Sequence, residues 1–525
     1  MTSDTALPNA EWKPRHSPWL ISIAVMLATF MEVLDTSVAN VSLPHIAGNL
    51  SATTHEATWV LTSYLVANAI ILPATAWFGG FFGRKRFLIL CVMLFTMSSA
   101  LCGLATNLGM LITARIFQGL GGGALQPISQ AVLIESFPRE KRGVAMAVFA
   151  LGVIVAPIIG PTVGGWITDN FSWRWIFLIN LPIGILAVIL SQLLIEDPPY
   201  IRKNKAKTID FLGFSMMAVG LGTLQLVLDK GQEVDWFSAV WVRWSVILIV
   251  VSLTAFVIRE VRIKNPVVNF RILKDVNFTT GTIIVTILGA VLYGTTALLP
   301  LYLQGLMGYT AYLSGLALSP RGIAAFLTTI VIGRIIGHID MRYLVAFGLF
   351  LLGITCYQLG NINFDVEFWH IIMPVIGTGI GISSIFIPLT TLTMGTLKQE
   401  DIGNAAGLFN LMRNIGGSVG IATVTTVLAR MSQVHQSNLV NHLDIFNPVY
   451  QQKIASLLHI FSPLGPFMAQ SLAHGFIYRE LLRQSALMAY VDNFRGFGIL
   501  SLLCVVTAFF FRKVDLKKGA PPLAH

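Results

Sequence analysis

WLISIAVMLATFMEVLDTSVANVSLP, Trp19 to Pro44, is the stretch on which the fold reading turns. It is long and apolar enough to cross about 30 Å of hydrocarbon as a helix. Yet it carries Glu32 and Asp35 in its second half. An ionised acid at the bilayer centre costs roughly 2.5 to 3.5 kcal/mol on the mildest scale, so it normally faces water, a partner or an ion path. Glu32, Asp35 and Thr36 stand at i, i+3 and i+4 and share one helix face, with Asn40 one turn further on. The stretch therefore reads as a membrane helix with a protonatable site. A structural acid pinned by a basic partner is the plainer alternative.

The rest of the chain agrees. Of 525 residues, 55% are hydrophobic and 11% charged, with a mean hydropathy of +0.73. Soluble domains carry about 25% charged residues. The apolar residues fall into fourteen runs, near 19–40, 59–82, 87–105, 110–134, 143–168, 176–195, 211–228, 240–258, 279–304, 313–337, 343–360, 368–396, 403–431 and 494–511. The expected fold is all-α and polytopic, with fourteen transmembrane helices. The first span is followed by further spans, not by a cleavage site and a soluble domain, so no signal peptide is expected. Cys91, Cys102, Cys356 and Cys504 lie in apolar runs without CxxC spacing and read as packing residues.

The formal net charge of +10 does not point to nucleic acid, because the basic residues cluster in alternate short loops. Arg84, Lys85 and Arg86 follow span 2, Arg139, Lys141 and Arg142 follow span 4, and Arg202, Lys203, Lys205 and Lys207 follow span 6. Arg512, Lys513, Lys517 and Lys518 follow the last span. By the positive-inside rule these loops and both termini are cytoplasmic. That gives a cytoplasmic tail 1–18, a six-helix bundle 19–195, and a linker with spans 7 and 8 over 196–275. A second six-helix bundle, 276–511, contains an external loop 432–493, and a cytoplasmic tail 512–525 ends the chain. The external loop has amphipathic pieces such as Tyr450–Phe461 and Gly475–Tyr490, expected as helices lying against the external face. Its histidines match no common zinc pattern, and no metal site is expected.

Two later spans carry further chemistry. LITARIFQGLGGGALQPISQ, Leu111 to Gln130, buries Arg115, a permanently charged guanidinium that needs a counter-charge. Gln118 lies nearby, and the glycine run invites a close neighbouring helix. It lacks the end of a phosphate loop, so nucleotide binding is not expected. GVIVAPIIGPTVGGW, Gly152 to Trp166, places Pro157 and Pro161 as kinks and Gly160, Gly164 and Gly165 as a packing face.

These motifs resemble those of the major facilitator superfamily, in particular its fourteen-span drug:proton antiporters of the EmrB/QacA type. LDTSVANVSLP (Leu34–Pro44) is similar to the first-helix motif, RIFQG (Arg115–Gly119) to the fourth-helix motif, and APIIGPTVGG (Ala156–Gly165) to the antiporter motif. WRWIFLINLPIG (Trp173–Gly184), LDKGQEVDWF (Leu228–Phe237), LPLYLQGLMGYT (Leu299–Thr310) and PLTTLT (Pro388–Thr393) fit the same subgroup. One place departs: WFGGFFGRKR, Trp77 to Arg86, has Gly80 and Phe81 where the family usually has Asp and Arg. That puts the charge lock of this loop in question.

The resemblance implies two six-helix bundles rocking around a central site, with two helices inserted between them. It implies efflux of lipophilic drugs or toxic compounds across the inner membrane in exchange for protons, without a cofactor. A periplasmic adaptor (membrane fusion) protein and an outer-membrane channel are the implied partners. An exporter dedicated to one metabolite, such as a siderophore, is the alternative on the same fold. A membrane enzyme is not favoured, since neither HExxH nor GxSxG is present in a suitable setting. Asp35 is the expected proton carrier, with Glu32 next and Arg115 as counter-charge. Thr36, Asn40, Tyr64, Asn68, Gln118, Gln126, Tyr293, Tyr302, Arg321, Asn410, Arg413 and Asn414 are the expected cavity residues. Asn410, Arg413, Asn414 and Ser418 of span 13 are equally well read as interhelical glue.

Overall fold

Apolar runs of membrane length fold as helices because nothing in hydrocarbon can satisfy a backbone N–H or C=O except the helix itself. The computed structural model describes residues 14–138, 141–197, 210–263, 266–336, 338–364, 366, 368–398, 401–444 and 446–513. Most of the expected terminal tails lie outside the described residues, as do Arg139 and the basic run Arg202 to Lys207.

In chain order the main helices are α1 (Pro18–Asn49), α2 (Trp59–Phe82), α3 (Arg84–Gly103), α4 (Leu108–Ser136) and α5 (Arg142–Asn170). They continue with α6 (Trp175–Leu194), α7 (Phe211–Lys230), α8 (Val240–Arg262), α9 (Val276–Gly305) and α10 (Ala311–Ile335). The last five are α11 (Met341–Leu359), α12 (Phe368–Gly395), α13 (Ile402–Val440), α14 (Pro448–Phe461) and α15 (Pro466–Cys504). Among the described residues, twelve are long and apolar enough to cross a membrane, or thirteen if the bent α5 counts as one span. α13 falls short of that measure because Asn404, Asn410, Arg413, Asn414 and Ser418 lie along its length. Asn410 and Arg413 are buried, so this polarity faces protein rather than lipid.

Helices α1 to α6 pack on one another, and α9 to α13 with α15 form a second group. The two groups meet where α5 lies along α10 and α12, and where α4 crosses α13. Phe149 of α5 stacks on Phe386 of α12 with ring centroids 6.4 Å apart. α7 packs on α2, α8 and α13 at the edge of this interface. α8 is the most peripheral span, with only 17% of its apolar window buried. On α7, Asp210 caps the N-terminus through Gly213 N at 3.0 Å and binds Arg259 of α8 at 2.8 Å.

The region 432–493 is helical, as expected for Tyr450–Phe461 and Gly475–Tyr490, but much of it belongs to two long helices and not to a separate loop. α13 and α15 are each 39 residues long, about 58 Å at 1.5 Å per residue. They run well beyond about 30 Å of hydrocarbon, and α14 packs on α15. His435 of α13 meets Asp492 of α15 at 2.7 Å. Low hydropathy marked these residues as outside the membrane, but it does not end a helix, and the two long helices simply continue.

Candidate functional site

The glycine run of α4 creates the site. Gly119, Gly121, Gly122 and Gly123 carry no side chains, so α2 and α3 close onto α4. A Cβ on Gly122 would stand 2.6 Å from the Tyr64 hydroxyl and 3.3 Å from Glu32 Cγ. Only glycine lets Tyr64 reach Glu32 at this crossing.

Two separate networks grow from the two acids of α1. Asp35 has no exposed side-chain surface, and neither has Arg115. Arg115 Nη1 donates to Asp35 Oδ2 at 2.6 Å. Gln118 Nε2 donates to Asp35 Oδ1 at 3.0 Å, and Asn180 Nδ2 to the same oxygen at 2.6 Å. Asn180 also donates to Ser99 Oγ at 3.0 Å. Arg115 is held in turn by the Gln118 side-chain oxygen at 2.7 Å and the Val60 carbonyl at 3.0 Å. The Tyr64 ring lies 4.2 Å from the guanidinium carbon. A buried pair of this kind holds only while both partners are present, since removing one strands the other charge.

Glu32, one turn earlier, is bound by neutral donors: Tyr64 Oη at 3.0 Å, Asn68 Nδ2 at 3.4 Å and Gln126 Nε2 at 2.7 Å. This network crosses to the second helix group. Gln126 Oε1 accepts from Arg413 Nη2. Asn410 Nδ2 donates to Gln130 Oε1 at 2.7 Å, and Asn414 Nδ2 approaches Asn68 Oδ1 at 3.5 Å. Ser418 Oγ donates to Gln225 Oε1 of α7 at 2.8 Å. Asn68, Gln126, Asn410, Arg413 and Asn414, all expected cavity residues, thus take part in side-chain hydrogen bonds between the two helix groups. Beyond them on α1, Thr36 is half-buried and Asn40 exposed.

A family model described as "Major Facilitator Superfamily" matches residues 25–421. The chain belongs to the major facilitator superfamily. It is 37% identical over 505 residues to the probable multidrug resistance protein EmrY of Escherichia coli, covering 95% of this chain and 96% of that one. It is 39% identical over 434 residues to the multidrug export protein EmrB of Haemophilus influenzae, covering 82% and 84% of the two chains. Its fold is similar to that of the proton:xylose symporter XylE, with a TM-score of 0.60 and 14% identity over 95% of this chain and 98% of that one. This member of the superfamily is a multi-pass membrane transporter of small molecules.

Within this superfamily scaffold, the proline–glycine segment of α5 has a physical account. Pro161 lacks the N–H that would bond the Pro157 carbonyl, and the freed carbonyl accepts from Ser37 Oγ of α1 at 3.1 Å. A Cβ on Gly164 would stand 2.8 Å from Val38 Cγ1, so α1 and α5 lie nearly backbone to backbone. Gly160 also packs on Ser37. Gly165 does not belong to this face: nothing lies within 4 Å of a Cβ built there, because it points away from the α1 seam.

Three other expected cavity residues sit elsewhere. Tyr302 is buried and donates to the Asn363 carbonyl at 3.1 Å, with its ring against Tyr490. It packs α9 to the α11–α12 connection and α15, away from the interface bonds. Arg321 donates to the Thr296 hydroxyl at 3.0 Å within the second helix group. Tyr293 is half-buried and its ring covers Gly417.

The loop after α2 keeps its basic end through partners from other helices. Arg84 forms an ion pair with Glu135 of α4. Asp197, just past α6, accepts from Lys85 N at 2.8 Å. Gly83 has φ +87°, and a Cβ there would stand 2.6 Å from Asp197 Oδ2. Gly403, at the start of α13, lies against Arg84.

Sequence reading missed Asn180, Ser99 and Gln130. Asn180 was findable by the argument that found Asp35, as an amide set in an apolar span. Ser99 and Gln130 carry no such signal, because small or neutral polar residues are common in membrane helices.

Proposed function

We propose that this transporter exports lipophilic drugs or related toxic compounds across the cytoplasmic membrane in exchange for protons. Both termini are then cytoplasmic, in keeping with the basic loops between spans. The names of the EmrY and EmrB relatives support the drug class. The observation that carries the coupling is Asp35, a fully buried carboxylate whose charge is answered by Arg115. Protonating Asp35 removes the charge that holds Arg115, so a proton and the packing of α1 on α4 are linked. No cofactor is needed beyond the proton gradient.

The two helix groups, 19–195 and 276–511, act as rocking bundles around the polar interface. The bonds from Gln126, Gln130 and Asn68 to α13 close the cytoplasmic side, while Thr36 and Asn40 lie toward the outside. The region 432–493 offers apolar side chains such as Phe467 of α15, 87% exposed, and Phe446 of the α13–α14 connection, 81% exposed. That suits docking of a periplasmic adaptor serving an outer-membrane channel. Substrate-driven proton movement in inside-out vesicles tests the coupling. Asp35→Asn is expected to abolish it, and full coupling in that variant sinks the assignment and moves it to Glu32.

A further inference from the structure

The inserted helix α7 is bonded to one helix group on one side and to the other group on its opposite side. Asp229, near its end, accepts from the Thr62 hydroxyl. Lys230 donates to the Thr58 hydroxyl and lies 5.5 Å from the Trp59 ring. Earlier on α7, Gly222 faces Val66 and Ile70. Thr58, Thr62, Val66 and Ile70 follow one another at i+4, so they form one stripe that starts just before α2. On the other side, Ser418 donates to Gln225 at 2.8 Å. Trp236 Nε1, in the turn after α7, donates to Thr426 at 3.0 Å, and Arg430 donates to Asp235 of the same turn. Ser418, Thr426 and Arg430 are spaced by multiples of four and share a stripe of α13.

The two attachments differ in what release costs. Pulling α7 from α2 takes the buried Lys230 from Thr58 and Trp59, and Asp229 from Thr62. The contacts on α13 let go more easily. Trp236 Nε1 also donates to Gln232 Oε1 at 2.9 Å, Thr426 to the Ala422 carbonyl at 2.7 Å, and Ser418 to the Asn414 carbonyl at 3.1 Å. These donors stay paired after release. Arg430 and Asp235 have 57% and 63% of their side chains exposed, so water can replace each for the other. Asp235 and Trp236 also have φ of +54° and +52°, and among the described residues Ser51 is the only other non-glycine with a positive φ. A bulky side chain is strained in that region. The strain thus lies at the two residues that grip α13.

We propose that the turn 231–238 is an outer strap: anchored on α2, it grips α13 while the cytoplasmic side is closed and lets go as the bundles rock. The proposal rests on the export reading above and adds a device that biases which side is open. The strap is fastened in the same structure in which Asn410 bonds Gln130 across the seam between α4 and α13. A contact made in one state and lost in the other shifts the balance toward the first. The anchor also adjoins the charge site. Val60, between Thr58 and Thr62, gives its carbonyl to Arg115 at 3.0 Å. The stretch of α2 that carries the strap is therefore the one that helps to hold Arg115 on Asp35.

The test reads the cytoplasmic seam in the full chain, in membranes and without substrate. The reporter is the oxidative bridge between Gln130→Cys and Asn410→Cys, whose rate of formation follows how often the seam is closed. Trp236→Phe keeps a ring against Gly231 and removes the donor to Thr426. Arg430→Glu sets two acids against each other. Together they are expected to slow bridging about fivefold, the size of one ordinary hydrogen bond. Arg430→Lys, which keeps the charge, is expected to bridge near the unmodified rate. Trp236→Phe and Thr426→Val remove the same bond, so their combination is expected to slow bridging no more than either alone. Bridging that is unchanged or faster in the Trp236→Phe, Arg430→Glu variant overturns the proposal. Transport that persists through the bridged reporter pair overturns the rocking export cycle itself, and the strap with it. Should the combined variant fail to reach the membrane, Arg430→Glu alone, at its exposed position, decides.

Discussion

Asp35 and Glu32 stand three residues apart on one helix face, and their surroundings differ in kind. Asp35 is answered by a cation, Arg115. Glu32 is answered by a hydroxyl and two amides. A buried ion pair is weak evidence for stability, but breaking one side of it costs about 3 to 5 kcal/mol. Asp35→Asn is therefore expected to destabilise the protein by about that amount, as is Arg115→Met. The double variant is expected to lose less than the sum, because neither charge is then stranded. Thermal unfolding of the four proteins in one detergent measures this. Additive losses would show that the two side chains do not act as a pair.

At the scale of elements, two of the helix contacts of α1 are made by what a residue lacks. The missing N–H of Pro161 gives the Pro157 carbonyl to Ser37, and the missing Cβ of Gly122 gives Tyr64 room to bind Glu32. The α7–α8 pair is fixed differently, by charge. The hydrogen bonds from Arg259, followed by the backbone N–H of Gly213, hold the Asp210 carboxyl below its ordinary range, against the opposing effect of burial. A carboxyl lowered in the folded state stabilises above its ordinary pKa, and that contribution disappears as pH falls through the lowered value. Asp210→Asn is expected to lower the melting temperature at neutral pH. The gap to wild type is expected to close on acidification below the usual carboxylate range. A gap independent of pH would remove the ion pair from the account of how α7 is held.

At the scale of the whole molecule, the structure is closed where α4 meets α13. Asn410 and Gln130 are bonded side chain to side chain across that interface. If export requires the groups to part there, a covalent bridge at this point stops it. The variant carrying Gln130→Cys and Asn410→Cys is expected to lose nearly all transport on mild oxidation and to regain it on reduction. The four native cysteines are all buried, which keeps the background low. Undiminished transport by the bridged protein would rule out opening at this seam.

The sequence by itself determined the class. Long apolar runs admit only membrane helices, because hydrocarbon offers the backbone no other partner. It also marked Asp35, Glu32 and Arg115, since a charge in such a run is anomalous wherever it sits. Motif residues from Leu34 to Gly165 then gave the superfamily. What it could not determine was pairing across long separations. Nothing local in Asp35 says that it meets Asn180, 145 positions away, or in Gln126 that it joins Glu32 to Arg413. Nor did hydropathy show that α13 and α15 continue past the membrane, since it reports the surrounding solvent and not the end of a helix. Those features belong to the tertiary structure. They depend on which helices the glycine and proline positions allow to touch, and that is settled only when all the helices pack at once.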